Sequence, residues 1–424
     1  MSDQRAGGRV PWRNRTVQAV LASTLVAPLG VPLLSPALPV VRDHFGLTDP
    51  EASLLVSSYF VVGIFVSPFI GLGADRLGRK RVLLPALLVF SLTGLTGYVA
   101  PSYAVLLGLR VVQGTAAAAL FVTTVTIIGD AFEGVQRNAV LGVNVAALSL
   151  GAAVFPVLGG ALAGVAWNVP FLAYGLGLPV ALFAAVAIQE HPRPGPSSDD
   201  RKPTAEHAAG RTESASTGEE GGVSYLRGVL GRLTTAMVAL LTTAFLTEFV
   251  LFGALFTALP FLLTASYALT PVYIGGVLLA TEGTAIVAAA ANGRLAGAIS
   301  NGRLIASGFG CYGLSLLGIY LAPSPLLVAV ASLLFGVGLG LTMPSVDAAI
   351  SQRVSTSYRA GLLGLRNSTT FLGRATGPVV FATGAALVGY PLLLLVSGVS
   401  LVVIAVVASV ATTASRVPGT PNAP

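Results

Sequence analysis

One cysteine, Cys311, and three histidines are all that the 424-residue chain offers of the softest metal-ligating and redox side chains. A lone cysteine excludes an intramolecular disulfide and a cysteine-built zinc site, and leaves the redox compartment open. His44, His191 and His207 fall in polar segments, so no histidine metal cluster is expected, and no cofactor. Charge is equally scarce. Only 10% of residues are charged against 54% hydrophobic, and the mean hydropathy of +0.82 lies far outside the range of soluble domains. No basic, aromatic-studded domain is present, so the excess of 24 basic over 17 acidic residues does not point to nucleic acid.

What the chain does have is long apolar runs. A helix needs roughly 20 apolar residues to cross a bilayer. Runs bounded by charged or Pro/Gly-rich breaks predict spans 1 to 6 near 17–40, 52–73, 82–100, 103–128, 138–164 and 169–189. Spans 7 to 12 follow near 235–262, 270–296, 303–322, 325–349, 360–388 and 391–412. The first run is longer than the core of a cleavable signal and reads as an uncleaved span. The segment 190–232 is rich in Pro, Ser, Gly and charge with almost no apolar residues, and reads as a disordered tether.

Basic residues set the orientation. Arg5, Arg9, Arg13 and Arg15 precede span 1, Arg76, Arg79, Lys80 and Arg81 follow span 2, and six more lie in the central segment. Opposite loops carry only Arg42, so both termini and the tether are expected on the cytoplasmic side of the cell membrane. The expected organisation is a tail (1–16), a six-helix bundle (17–189), a cytoplasmic linker (190–232), a second bundle (233–412) and a tail (413–424). The fold class is an all-α membrane protein, twelve transmembrane helices in two pseudo-symmetric bundles, expected as a monomer in the lipid bilayer. The halves also read as copies. A constant offset superposes 71–160 on 293–382, so that Tyr98, Ala100, Pro101 and Ser102 recur as Tyr320, Ala322, Pro323 and Ser324, and Gly151 and Pro156 as Gly373 and Pro378. Parallel repeats are one plan of a secondary transporter, with the substrate site at their interface near the membrane midplane.

The run Gly71-Leu-Gly-Ala-Asp-Arg-Leu-Gly-Arg-Lys-Arg81 lies between spans 2 and 3. It resembles the signature loop of the major facilitator superfamily. By that resemblance Gly71, Asp75, Arg76, Gly78 and Arg79 form a conformational latch, with Asp75 against the start of span 11 near Ala360 and Arg79 paired with Asp130. The second-half copy, Gly293 to Arg303, has Gly297 in place of the aspartate, so the latch is one-sided. A nucleotide loop is excluded because no strand precedes these glycines. Arg110, Gln113 and Gly114 resemble the superfamily's second motif. An arginine inside the membrane costs several kcal/mol unless it faces a cavity or partners, and two readings stay open for it: a cavity contact, or a guanidinium bonded to carbonyls. Gly151, Pro156, Gly159 and Gly160 in span 5 resemble the motif of the antiporter branches, although Phe155 stands where that motif has glycine. Gly373, Gly377 and Pro378 form the second-half equivalent.

Acids inside the spans are confined to the second half: Glu248, Glu282 and Asp347. Glu248 lies roughly 20 Å and Glu282 roughly 18 Å from their helix starts, both near mid-membrane, with Arg374 comparably deep. A buried carboxyl whose cation partner changes with conformation can take up and release a proton. Two readings stay open for each glutamate, proton coupling or a permanent ion pair with Arg374. Asp347 lies near the cytoplasmic end. Thr247, Phe252 and Phe256 share the region of Glu248, a surface suited to an amphiphilic or cationic solute. The resemblance implies no enzymatic step and no cofactor, only alternating access. The expected function is proton-coupled efflux of small, drug-like organic molecules. The rival is transport of a defined, anionic metabolite held by Arg110 and Arg374, and a non-transporting receptor is a third reading.

Overall fold

The computed structural model describes residues 10–188, 231, 233–353 and 359–414. Eleven helices among the described residues are long and apolar enough to cross a membrane. In the first half they are span 2 (Asp49–Leu77), span 3 (Arg79–Thr96), span 4 (Tyr103–Ala131), span 5 (Gly134–Ala163) and span 6, a 3-10 stretch Val169–Leu176 that runs into the helix Gly177–Ala187. In the second half they are span 7 (Thr235–Tyr267), span 8 (Pro271–Leu295), span 9 (Asn301–Leu321), span 10 (Pro325–Arg353), span 11 (Arg359–Val388) and span 12 (Tyr390–Ala414).

The twelfth crossing is the first in the chain, and it departs from the single apolar helix expected over 17–40. It is broken into a helix Arg15–Val26, short 3-10 turns Ala27–Leu29 and Ser35–Ala37, and a helix Leu38–Phe45. Pro28, Pro32, Pro36 and Pro39 explain the break, since each removes an N–H and crowds the carbonyl four residues earlier. The freed backbone groups do not meet lipid; this stretch is buried throughout Val26–Pro39. Expected spans otherwise match to within a few residues. The central tether and the outer parts of both tails fall outside the described residues.

Start and stop signals are local. Thr48 and Glu51 form a capping box that opens span 2. Gly78 closes it at φ 102°, a conformation open to glycine at little cost, and lets span 3 begin at the next residue. Leu182, Val186, Leu326 and Leu387 stay exposed on the outside of the bundles. Their neighbour is hydrocarbon, so these contiguous apolar surfaces need no protein cover.

The halves meet along spans 2 and 11 and along spans 5 and 8. Close approach in the second pair depends on residues without a side chain. A Cβ on Gly160 would lie 2.2 Å from the Pro271 carbonyl oxygen, and one on Gly275 would lie 2.3 Å from that of Pro156. Gly159 faces the Leu33 carbonyl of the broken span at 1.7 Å by the same measure, while Gly151 abuts Pro28 and Phe155. The glycines of span 5 therefore join span 1 on one side and span 8 on the other.

Cross-half hydrogen bonds run from Tyr390 Oη to Asp49 Oδ2, 2.6 Å, and from Ser35 Oγ to the Phe256 carbonyl, 2.6 Å. The second follows from proline chemistry. Pro260 has no N–H to offer Phe256, four residues back, and the serine hydroxyl of the other half satisfies that oxygen.

Candidate site around Glu248 and Arg374

Span 7 is α-helical to Val250, continues as a π-helix over Leu251–Ala258 and returns to α from Leu259. Such wide turns concentrate at functional sites because they re-aim side chains. Glu248 stands just before it. Span 11 reaches this helix closely because Gly373 and Gly377 face the carbonyls of Phe245 and Phe249. Arg374 is thereby pressed against Glu248, and its Nε and Nη2 donate to the two carboxylate oxygens at 2.9 and 2.8 Å.

The pair is buried unequally: the Glu248 side chain is 0% exposed and that of Arg374 20%. A carboxylate this deep is tolerable only with a cation or a proton, because its desolvation is worth several kcal/mol. The guanidinium is also walled by rings. Its Cζ lies 5.6 Å from the ring centre of Phe60, 5.4 Å from Phe252 and 5.6 Å from Phe371, all within cation–π range. Phe60 belongs to span 2 of the first half and packs edge-on against Phe252 at 4.9 Å. One wall of the site is therefore lent by the opposite bundle. Phe256 is buried beside Phe252, and Thr247 is fully buried nearby.

Glu282 in span 8 is 6% exposed. Its carboxylate lies within electrostatic reach of Glu248, and no hydrogen bond or ion pair reaches it among the described residues. Asp347 also lies within electrostatic reach of Glu248, but it pairs with Arg366 of span 11 at 2.7 Å and its side chain is 53% exposed. The structure thus brings Glu248, Arg374, Phe252 and Phe256 together, while Asp347 is held by Arg366. No cluster of three or more His, Cys, Asp or Glu suited to a metal ion occurs among the described residues. An apolar groove of about 420 Å³ lies on the seam of spans 2, 4 and 11, lined by Leu54, Ser57, Leu107, Thr376 and Val380 and by neither glutamate.

Arg110 occupies the first half differently. It is 1% exposed and donates to the carbonyls of Leu55 (3.1 Å) and Gly30 (2.5 Å), to Gln113 Oε1 (2.6 Å) and to Tyr174 Oη (3.2 Å). Its Cζ lies 4.4 Å from the Tyr59 ring centre. The Gly30 oxygen is available because span 1 is broken there. Gln113 passes the network on to the Phe90 carbonyl at 3.1 Å. Spans 1, 2, 3, 4 and 6 are tied by one side chain and its neighbour, and the carbonyl-bonded arrangement is the one observed. In the signature loop Arg79 Nε meets Asp130 Oδ2 at 2.9 Å. The side chains of Asp75 and Arg76, and the surroundings of Gly71, lie outside the described residues.

Comparison with known proteins decides what this architecture is. The model of the Major Facilitator Superfamily matches residues 20–378 and 241–424. The chain belongs to that superfamily. Members of the superfamily are transporters of small molecules, not enzymes. This superfamily chain is 28% identical over 382 residues to the bacillibactin exporter of Bacillus subtilis (strain 168), covering 87% of this chain and 89% of the relative. It is 29% identical over 178 residues to the quinolone resistance protein NorA of Staphylococcus aureus, a match spanning 42% of this chain and 46% of that one. Its fold is shared with a bacterial homolog of the human lysosomal transporter Spinster in an inward-facing conformation, with TM-score 0.71, 17% identity and 95% and 96% of the two chains covered. A D-xylose–proton symporter superposes with TM-score 0.74 at 13% identity, over 93% and 96% of the chains.

Several residues of this transporter escaped the sequence reading. Phe60, Phe371, Tyr59 and Tyr174 carry no periodic signal that separates a wall of a charged site from ordinary packing. Asp49 and Tyr390 each open a span, and only the fold brings them together. Asp49 also receives Arg42 Nη1 at 2.7 Å, and Arg42 lies 5.5 Å over Phe261 of the second half. This cluster holds the two bundles at the end opposite the termini. Tyr390→Phe is expected to weaken that hold by about 1.5–3 kcal/mol, the worth of a hydrogen bond to a charged group. Spin-label distances between residues 46 and 389 should gain a longer component, and an unchanged distribution would show that the bond is idle.

Proposed function

We propose that this transporter is a proton-coupled exporter of small organic molecules, working by alternating access between the two bundles. The observation that carries the reading is a buried carboxyl, Glu282, with no ion pair or hydrogen bond among the described residues, within electrostatic reach of a buried ion pair, Glu248–Arg374, one of whose aromatic walls belongs to the other half. A proton is the partner that offsets the desolvation of Glu282. A cation entering beside the pair favours release of that proton, since nearby positive charge stabilises an ionised carboxylate. Occupancy by substrate and by proton then exclude each other, the requirement for exchange.

Two relatives, the bacillibactin exporter and a quinolone resistance protein, support the direction of transport and the organic nature of the cargo. The basic residues support a cell-membrane protein with both termini cytoplasmic. We take the monomer as the working unit because the site lies between the halves of one chain. Anion transport through Arg110 has less support, as Arg110 donates to protein acceptors and is 1% exposed.

The test is reconstitution into proteoliposomes with an imposed pH gradient. Uphill movement of an organic cation such as ethidium, driven by the gradient and collapsed by a protonophore, is expected. Flux indifferent to the gradient would overturn proton coupling, and gradient-driven flux confined to anions would overturn the substrate class.

A further inference from the structure

We infer that Arg374 is a tethered stand-in for a cationic substrate: it fills the place where the substrate's charge binds, and the two compete for Glu248. The inference rests on the exporter reading above and adds to it the position of substrate recognition and an internal competitor.

Both oxygens of Glu248 are taken by a single guanidinium, and the carboxylate itself has no exposed surface. Its partner retains a fifth of its side-chain surface. Arg374 is therefore the more accessible member of the pair. The arginine leaves only if another cation or a proton takes over the carboxylate.

The rings supply the second observation. Three aromatic groups within 5.6 Å of one guanidinium carbon form an arrangement that attracts a desolvated cation of any chemistry, quaternary or delocalised included. A pair needed only to pin span 7 to span 11 requires the two hydrogen bonds and no such enclosure. Moreover, the walls come from three spans and both halves: Phe252 from span 7, Phe371 from span 11 and Phe60 from span 2. Separation of spans 2 and 11 would remove Phe60 and open the enclosure. A cation entering at that stage finds two rings, a carboxylate and a flexible arginine that can swing aside. Closure by Phe60 would then complete the cage around the substrate in place of the guanidinium.

Competition has a consequence that a structural ion pair does not share. Removing a structural partner weakens everything that depends on the site. Removing a competitor strengthens binding of the ligand it competes with.

The experiment uses the full chain purified in detergent, with tetraphenylphosphonium as the probe and affinity read by isothermal titration calorimetry. Arg374→Gln is expected to bind the probe about tenfold more tightly than the wild type, the change that follows when one competing charged contact is lost. Glu248→Gln is expected to weaken binding at least about tenfold on the same grounds. Phe60→Leu leaves the ion pair intact, and its expected effect is a several-fold weaker affinity. It keeps the inference testable if Arg374→Gln does not fold. Equal or weaker binding to Arg374→Gln overturns the inference, as does binding of benzoate that requires Arg374, or an affinity indifferent to Phe60→Leu. These measurements are made at equilibrium without a gradient, so they succeed or fail independently of the flux test of proton-coupled export.

Discussion

Glu282→Gln is expected to reduce pH-gradient-driven export by about a hundredfold or more while leaving the protein at least as stable as the wild type. Glutamine keeps the size and the hydrogen-bonding reach of the carboxylic acid but has no proton to release, so the step in which substrate and proton replace one another is lost. Stability moves the other way for a separate reason. The carboxyl is 6% exposed and has neither ion pair nor hydrogen bond among the described residues. A neutral amide there removes the desolvation penalty that any ionised state of Glu282 carries. Loss of coupled flux together with an equal or raised melting temperature separates a functional site from a packing defect. Retention of gradient-driven flux would remove Glu282 from the mechanism.

Arg110→Lys is expected to have the largest effect on stability, a loss of about 3–5 kcal/mol, as expected when two charge-assisted hydrogen bonds to buried acceptors are lost. The change is conservative only in charge. Arg110 engages acceptors in four directions, Leu55, Gly30, Gln113 and Tyr174, and lies over the Tyr59 ring. A single ammonium with three donors on a flexible stem cannot reproduce that planar fork. Lysine gives up the charge-assisted bonds to these acceptors, each worth about 1.5–3 kcal/mol, and leaves Gly30 only the longer contact from Tyr174 Oη at 3.3 Å. The expected observation is a lower melting temperature and poor recovery from detergent. A variant that melts like the wild type and fails only in transport would return Arg110 to the cavity as a substrate contact.

The bilayer-spanning pattern was legible because hydrocarbon imposes one rule, a long apolar run per crossing, and the runs from Asp49 onward obey it. The broken first span was half legible. Four prolines at Pro28, Pro32, Pro36 and Pro39 forbid a continuous helix, but the Gly30 carbonyl left open in the broken stretch is satisfied by Arg110, a partner that only the fold supplies. The pairing of Arg79 with Asp130, expected from a resemblance alone, is present at 2.9 Å.

The site divided along similar lines. Depth along a helix named Glu248, Glu282 and Arg374 as mid-membrane residues, since 1.5 Å per residue is a reliable ruler. It did not choose which glutamate meets the arginine, because azimuth around a helix bent by a π segment is not readable from spacing. Gly373 and Gly377 decide it by letting span 11 approach span 7 rather than span 8. Asp347 was grouped with the two glutamates by residue type; its placement on Arg366 at the more exposed part of span 10 sets it apart. Phe60 was invisible for a plain reason: its role depends on a contact between halves that share no sequence neighbourhood.

The exchange of proton for substrate is tested most directly by adding tetraphenylphosphonium to the purified chain in weakly buffered detergent solution and following a pH indicator. The account predicts proton release that tracks saturation of the ligand site and disappears in Glu282→Gln. Saturable binding to the wild type with no proton released would contradict it.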